Sequence, residues 1–316
     1  MFQGMEYAYA VYQERSFSKA AEKLFISQPS LSANVKRIEQ RLGCPIFDRS
    51  TKPLGLTECG RRYIQAVEQI MSVEDGFTKF ISDLEGLKTG ELVLGGSSFF
   101  SSWVLPPLIG QFSRRFPLVK ISLLEERTTA LAQALQSGQV DLLLDNCHLD
   151  EELFDRRVFR EEHLLLAVPR ALAVNETLAD YQVSTARIKD GSFLAPDIPP
   201  VPLSAFAEAP FIFMKSQNDT GKRAAAICQE QGLRPHILFS LDQQMTAYNV
   251  TCSGMGVSFL GDMLISRVPT NPDVVYYRLS GPHSSRRIFF YWKRGRYFSR
   301  AMAEFLNSVT PEDDHQ

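Results

Sequence analysis

The sequence predicts an α/β protein in three parts: an N-terminal winged helix-turn-helix, a long linker helix, and a two-lobed, doubly wound α/β domain. Three observations carry this. Two short helical patterns joined by a tight turn precede a basic hairpin; a long proline-free amphipathic stretch follows; β-rich and helical runs then alternate from Glu91 onward. At 316 residues the chain is too long for one ordinary core, which fits this division. The expected boundaries are 1–58 for the head, 59–89 for the linker and 90–310 for the body.

In the head, Met5, Tyr7 or Ala8, Val11 and Tyr12 form the apolar stripe of a first helix over 4–15. Ser18 is the expected N-cap of a second helix, in which Ala20 and Ala21 permit a close crossing. Ser27 caps a third, with Pro29 in the first turn, where its missing N–H costs nothing, and Gly43 as its stop. Leu31, Val35, Ile38 and Leu42 bury one face of this helix. Ser27, Gln28, Pro29, Ser30, Ser32, Ala33, Lys36 and Arg37 are left for the other, short polar residues first and basic ones further along, which suits a DNA major groove. For any one of them alone a solvated helix face is the better explanation; the whole spacing is more specific. Residues 44–57 then read as a hairpin wing whose Arg49 and Lys52 can reach phosphates or a neighbouring minor groove, and Thr57 caps the next helix. Charge follows the same plan. Residues 1–62 hold ten Lys/Arg against six Asp/Glu, although the whole chain has a net charge of −2.

Residues 5–63 resemble the DNA-binding domain of the LysR-type transcriptional regulators. The resemblance lies in the paired alanines, Ser27-Gln28-Pro29-Ser30-Leu31-Ser32, Ile38-Glu39 with Leu42-Gly43, Phe47-x-Arg49, and Leu56-Thr57-x-x-Gly60. It implies base and phosphate contacts from Gln28, Pro29, Ser30, Ser32 and Ala33, with Arg49 from the wing. Ala33 departs from the longer polar or basic residue common in relatives. The family also implies double-stranded DNA as partner, read as an interrupted inverted repeat by a dimer or tetramer, with RNA polymerase as a further candidate partner.

Thr57 to about Leu87 lacks proline, and Val67, Ile70, Phe77, Ile81 and Leu84 recur three or four apart on most of its length. A helix of this kind must bury its stripe against something, and a second copy is the simplest expectation. Lys88-Thr89-Gly90 ends it.

Strands are expected at Glu91–Gly95, Val119–Glu125, Val140–Leu144, Leu164–Val168, Phe211–Met214, Ile237–Ser240 and Gly256–Leu260, with helices between them. The βαβ alternation argues for a mostly parallel sheet covered on both faces. Val274–Leu279 and Ile288–Trp292 are expected to return to the first lobe. That gives lobe I about 90–163 and 269–310, lobe II about 164–268, and crossings near Glu162–Leu166 and Arg267–Asp273. Ligands of such sheets bind at the carboxyl ends of strands, beside helix N-termini. Ser97, Ser98, Ser101, Thr128, Thr129, Asn218 and Thr220 stand at three such junctions and are the candidates for binding a small, anionic effector; taken singly, each reads more simply as an N-cap. The body resembles the effector domain of the same family, built like periplasmic binding proteins, with His163–Arg170 and Cys252–Gly261 as landmarks. Gly261 stands where relatives often have proline, and Ser184–Pro202 is longer and richer in proline than usual.

No catalytic constellation, metal-ligand spacing or cofactor motif emerges. The five cysteines, Cys44, Cys59, Cys147, Cys228 and Cys252, are odd in number and widely spaced, and read as reduced thiols. No apolar run reaches the length of a membrane span, and the first residues lack signal-peptide features, so the expected compartment is the cytoplasm. An enzyme or solute-binding protein using the body alone is disfavoured by the complete recognition helix and wing; a purely architectural DNA binder is disfavoured by the two-lobed body.

Overall fold

The computed structural model describes residues 1–84 and 90–309. The expected end of the linker helix at 85–89 and the acidic tail Pro311–Gln316 lie outside the described residues. The chain divides into two compact units, one of residues 1–84 with Arg296–Ser299 and one of the remainder.

In the first unit, α1 (Met5–Glu14), α2 (Phe17–Lys23) and α3 (Gln28–Leu42) form the helix-turn-helix. The cap of α2 is Ser16, whose hydroxyl accepts from Lys19 N, so the expected cap at Ser18 is corrected by two residues. Ser27 caps α3 by accepting from Ser30 N, and Gly43 ends it with φ 74°. The wing is β1 (Phe47–Asp48) paired antiparallel with β2 (Gly55–Leu56). Thr57 Oγ1 accepts from Gly60 N at 2.9 Å and donates to Pro45 O at 2.6 Å, which ties the wing to the start of α4 (Glu58–Leu84). Gly60 is required there: a Cβ would lie 1.9 Å from Ile46 O.

Two further expectations fail in this unit. Val67, expected on an open stripe, is fully buried with Tyr63 and Ile64 in the head core, alongside Leu31, Val35 and Ile38. The first turns of α4 therefore belong to the head, and only the later ones keep an exposed stripe. Ile70 is half-buried, whereas Phe77, Ile81 and Leu84 are 65%, 44% and 69% exposed. Cys44 and Cys59, expected as free thiols, form a disulfide with Cα atoms 6.6 Å apart. The wing folds the chain back on itself, so the end of α3 meets the first turn of α4 despite the spacing in sequence.

The second unit has two lobes sharing one strand. In the first lobe, β3 (Glu91–Gly96) lies between parallel partners β4 (Lys120–Glu125) and β5 (Leu142–Asp145), with α5 (Leu105–Arg115) and α6 (Thr128–Ser137) as crossovers. β6 (Phe154–Pro169) then runs through both lobes. After α7 (Val174–Thr177), β7 (Gln182–Val183) and α8 (Thr185–Lys189), the second lobe continues as β8 (Pro210–Met214), α9 (Asp219–Glu230), β9 (His236–Leu241), α10 (Gln244–Cys252), β10 (Val257–Gly261) and α11 (Asp262–Arg267). β8 is parallel to β9 and β10, and β10 is antiparallel to β6.

β11 (Val274–Arg278) pairs with the 165–169 part of β6 and with β7, so it belongs to the second lobe, not the first. The return crossing therefore lies between Leu279 and Ser285 instead of Arg267–Asp273, and the expected lobe boundary at residue 269 is corrected accordingly. An apolar run such as Val-Val-Tyr-Tyr fits the centre of either sheet equally well, so its sequence does not choose between them. β12 (Ser285–Lys293) pairs antiparallel with β5 and with the first half of β6, and α12 (Arg300–Val309) packs on this lobe through Phe305, beside Phe112 and Phe290.

Candidate nucleic-acid interface and ligand cleft

On α3, the buried stripe leaves Ser27, Gln28, Pro29, Ser30, Ala33, Lys36 and Arg37 exposed, with Ser32 half-buried beside them. These residues form one continuous surface from the N-terminal end of the helix. Arg49 and Lys52 are exposed in the turn between the two wing strands. Arg49 is not a free arm: its guanidinium lies 5.1 Å from the Phe17 ring centroid and 3.7 Å from Glu39 Oε2. Glu39 in turn accepts from Ile46 N at 2.8 Å. The third helix thus holds the wing's arginine in place through one carboxylate.

In the second unit, the loops after β3, β4, β5, β8 and β9 meet in a cleft of about 390 Å³, lined from both lobes. This is where an open parallel sheet offers helix N-termini and unpaired N–H groups to a ligand. Of the seven expected residues, Ser97, Thr128, Thr129 and Asn218 line it. The other three do not. Ser101 is buried and donates its hydroxyl to Gly96 O at 2.8 Å. Thr220 is fully buried, where its Oγ1 accepts from Gln244 Nε2 and Arg286 Nη1. Ser98 is half-buried and outside the lining. Hydroxyl residues at helix starts are as often structural as functional, and sequence position does not separate the two.

The cleft also holds residues that the sequence reading missed. Arg127 and Lys215 bring positive charge, Asn146, Gln217, Gln243 and Gln244 bring amides, and Phe99 and Phe100 supply an apolar wall. Lys215 pairs with Asp242 at 2.7 Å. Arg127 follows Glu125-Glu126, a run that reads as strand-end charge; its position one residue before α6 was the available signal. Thr128 Oγ1 donates to Asp145 Oδ2 at 3.0 Å, and burial raises the pKa of the Asp145 carboxyl.

Below the cleft a buried charge network spans the lobes. Arg286 on β12, 1% exposed, donates from Nε to Glu162 Oε2 at 2.7 Å and from Nη1 to Asp219 Oδ2 at 2.9 Å. Glu162 belongs to β6 and Asp219 opens α9, next to the cleft residue Asn218. Asp262 Oδ1 accepts from His163 N, and its Oδ2 pairs with Arg160 at 3.0 Å. Burial first, then the neighbouring Glu162, pushes the Asp262 carboxyl up to about 6.

A helix-turn-helix with an exposed polar face, joined to a two-lobed domain with a cleft at its strand ends, defines a ligand-responsive DNA-binding regulator. The comparisons with known proteins agree. Residues 2–61 match the bacterial regulatory helix-turn-helix model of the lysR family, and residues 85–313 match the LysR substrate binding domain. The chain belongs to the LysR family of transcriptional regulators. It is 29% identical over 305 residues to the HTH-type transcriptional regulator YcgK of Bacillus subtilis, covering 96% of this chain and 91% of that protein. It is 26% identical over 309 residues to a probable RuBisCO transcriptional regulator of Synechocystis, covering 96% and 84%. Among solved structures, a variant of full-length OxyR from Pseudomonas aeruginosa superposes with a TM-score of 0.70 at 20% identity, over 98% of this chain and 94% of that one. Full-length CbnR complexed with its target DNA gives 0.61 at 18%, over 98% of each chain.

Proposed function

We propose that this regulator binds an interrupted inverted repeat through the exposed face of α3 and the wing, and that a small organic anion held in the inter-lobe cleft controls it. The observation that supports the anion is the meeting of Arg127 and Lys215 with the Thr128 and Asn218 helix starts in one cleft lined by both lobes. The guanidinium and ammonium groups supply charge-assisted donors, and the helix starts add backbone N–H groups. Asp242, paired with Lys215, and the five side-chain amides, Asn218 included, suit a ligand that also carries uncharged polar groups. Gln28, Pro29, Ser30, Ser32, Ala33, Lys36 and Arg37 face the groove in this reading, with Ser27 at the helix start and Arg49 and Lys52 on phosphates. The late half of α4 pairs with a second copy, giving a homodimer or tetramer, and RNA polymerase is the partner through which the bound complex acts. DNA as target places the protein in the cytoplasm, and no helix among the described residues is long and apolar enough to cross a membrane.

The experiment is a thermal-shift panel of small organic acids and their neutral analogues on the full chain. An acid that binds raises Tm by mass action. The increment should shrink in Arg127→Gln and Lys215→Gln, and the same acid should alter the DNA footprint of the wild type. Stabilisation by neutral compounds alone, or stabilisation that both variants retain in full, defeats the anion reading.

A further inference from the structure

We propose that the regulatory domain has a second ligand site, at the hinge between the lobes, and that it takes a small hydroxy-carboxylate. This reading is independent of the cleft, with which the site shares no lining residue.

The site is a cavity of about 320 Å³ where both chain crossings pass. That size lies at the small end of ordinary ligand pockets. On one side are His163 and Leu164, where β6 changes from pairing with β12 to pairing with β10 and β11. On the other is the return crossing, from Arg278 to Ser285. The third wall comes from the proline-rich segment before β8, which contributes Phe193 and Pro200.

The lining selects a chemistry. Arg278 is held from behind, its Nη1 donating to Ala195 O at 3.2 Å and to Ile198 O at 2.9 Å. Nε and Nη2 make no hydrogen bond among the described residues, so a planar donor edge is set in position, as a carboxylate requires. Arg278 is the one charged side chain of the lining at neutral pH, because burial lowers the pKa of His163 and keeps its ring neutral. One cation matches a monoanion better than a dianion. Ser280, Ser284 and Ser285 add hydroxyls, and the Ser284 hydroxyl, which donates to Gly281 O at 2.7 Å, is left as an acceptor for a ligand hydroxyl. Phe193, 1% exposed, stands edge to face with His163 at 5.9 Å and closes the floor with apolar surface.

A molecule here touches both crossings between the lobes, so it favours whichever lobe angle keeps the cavity formed. Binding at the hinge and binding in the cleft are then linked reciprocally.

Isothermal titration of the full chain with D-glycerate, L-lactate and D-gluconate tests the proposal, with propionate and glycerol as analogues lacking the hydroxyl or the charge. At least one hydroxy acid should bind saturably, tenfold or more tighter than either analogue. Arg278→Gln should weaken it at least tenfold. Because that variant also loses two carbonyl bonds, Leu194→Trp, at another lining residue beside Phe193, should fill the cavity with Arg278 left in place and do the same with an unchanged far-ultraviolet spectrum. Arg127→Gln combined with Lys215→Gln should leave this binding intact even if it abolishes the effect of a cleft ligand. Absence of saturable binding by all three acids overturns the proposal. So does binding that survives Leu194→Trp or is lost in the cleft double variant.

Discussion

The Glu162 carboxylate occupies the space that a side chain on residue 261 would need: a Cβ built on Gly261 would lie 2.2 Å from Glu162 Oε1. Glu162 cannot move aside cheaply, because Arg286 holds it and both are almost fully buried. Any side chain at 261 would meet this carboxylate, so glycine is required there. The charge pair and the glycine are one device.

Gly261→Ala should therefore displace a buried, paired carboxylate and destabilise the regulatory domain by about 2–4 kcal/mol. Urea denaturation of the full chain measures it. In a Glu162→Ala background the added cost of Gly261→Ala should be much smaller, since the two residues share one volume. Equal costs in both backgrounds would mean that the contact is not the cause.

Asp262 gives a pH dependence with a definite sign. Its folded pKa, about 6, lies above the ordinary value of 3.8, so the folded state binds the proton more tightly than the unfolded chain does. The stability from this group is complete below pH 4 and is lost as the pH rises through 6. Compared with Asp262→Asn, the wild type should lose about 1–3 kcal/mol between pH 4 and pH 7.5. Parallel stability curves for the two proteins would refute the assignment.

For DNA, Gln28→Ala combined with Ser32→Ala should cost about 1–3 kcal/mol per lost base contact on the operator and much less on random sequence. Arg49→Ala should weaken binding to every sequence and reduce the salt slope by about 1. Competition binding at several salt concentrations separates these outcomes. A double variant that still discriminates as the wild type does would remove α3 from the role of reader.

Phe77, 65% exposed on the late part of α4, should lie in the seam between two copies. Its nearest ring, Phe80 at 6.4 Å, meets Tyr297 edge to face at 6.0 Å, so this end of the stripe is only partly covered within the chain. Phe77→Asp places a charge where a partner must desolvate it. Light scattering at micromolar concentration should show a lighter species; an unchanged mass would mean that the seam lies elsewhere.

The sequence was most legible where local rules act alone. Ser27, Gly43 and Thr57 mark helix ends through bonds to residues only a few positions away, and the Leu31-Val35-Ile38 spacing names its own buried face. It was least legible where partners are remote. Phe154–His163 carries so many charges that it does not read as a strand, yet it is the half-buried first half of β6, paired with β12 more than a hundred residues later. The cleft shows the same division. Thr128 and Asn218 follow from strand-to-helix junctions, whereas Thr220 was lost to a buried arginine and Lys215 was visible only once two lobes met. Cys44 and Cys59 adjoin because a hairpin returns the chain, which composition cannot show.

Because β6 carries both sheets without a break, the two crossings are not equivalent as places to cut the protein. Side chains alternate along a strand, so inserting or deleting one residue near His163 would turn the inner face of one lobe outward while leaving the other unchanged. The 279–285 crossing contains a short turn and can absorb such a change locally. A hybrid regulator that takes its second lobe from a relative should therefore be joined with strict residue-for-residue register at 163–164. At the return crossing the joint can vary in length, and relatives should differ in length there while keeping the spacing of the shared strand.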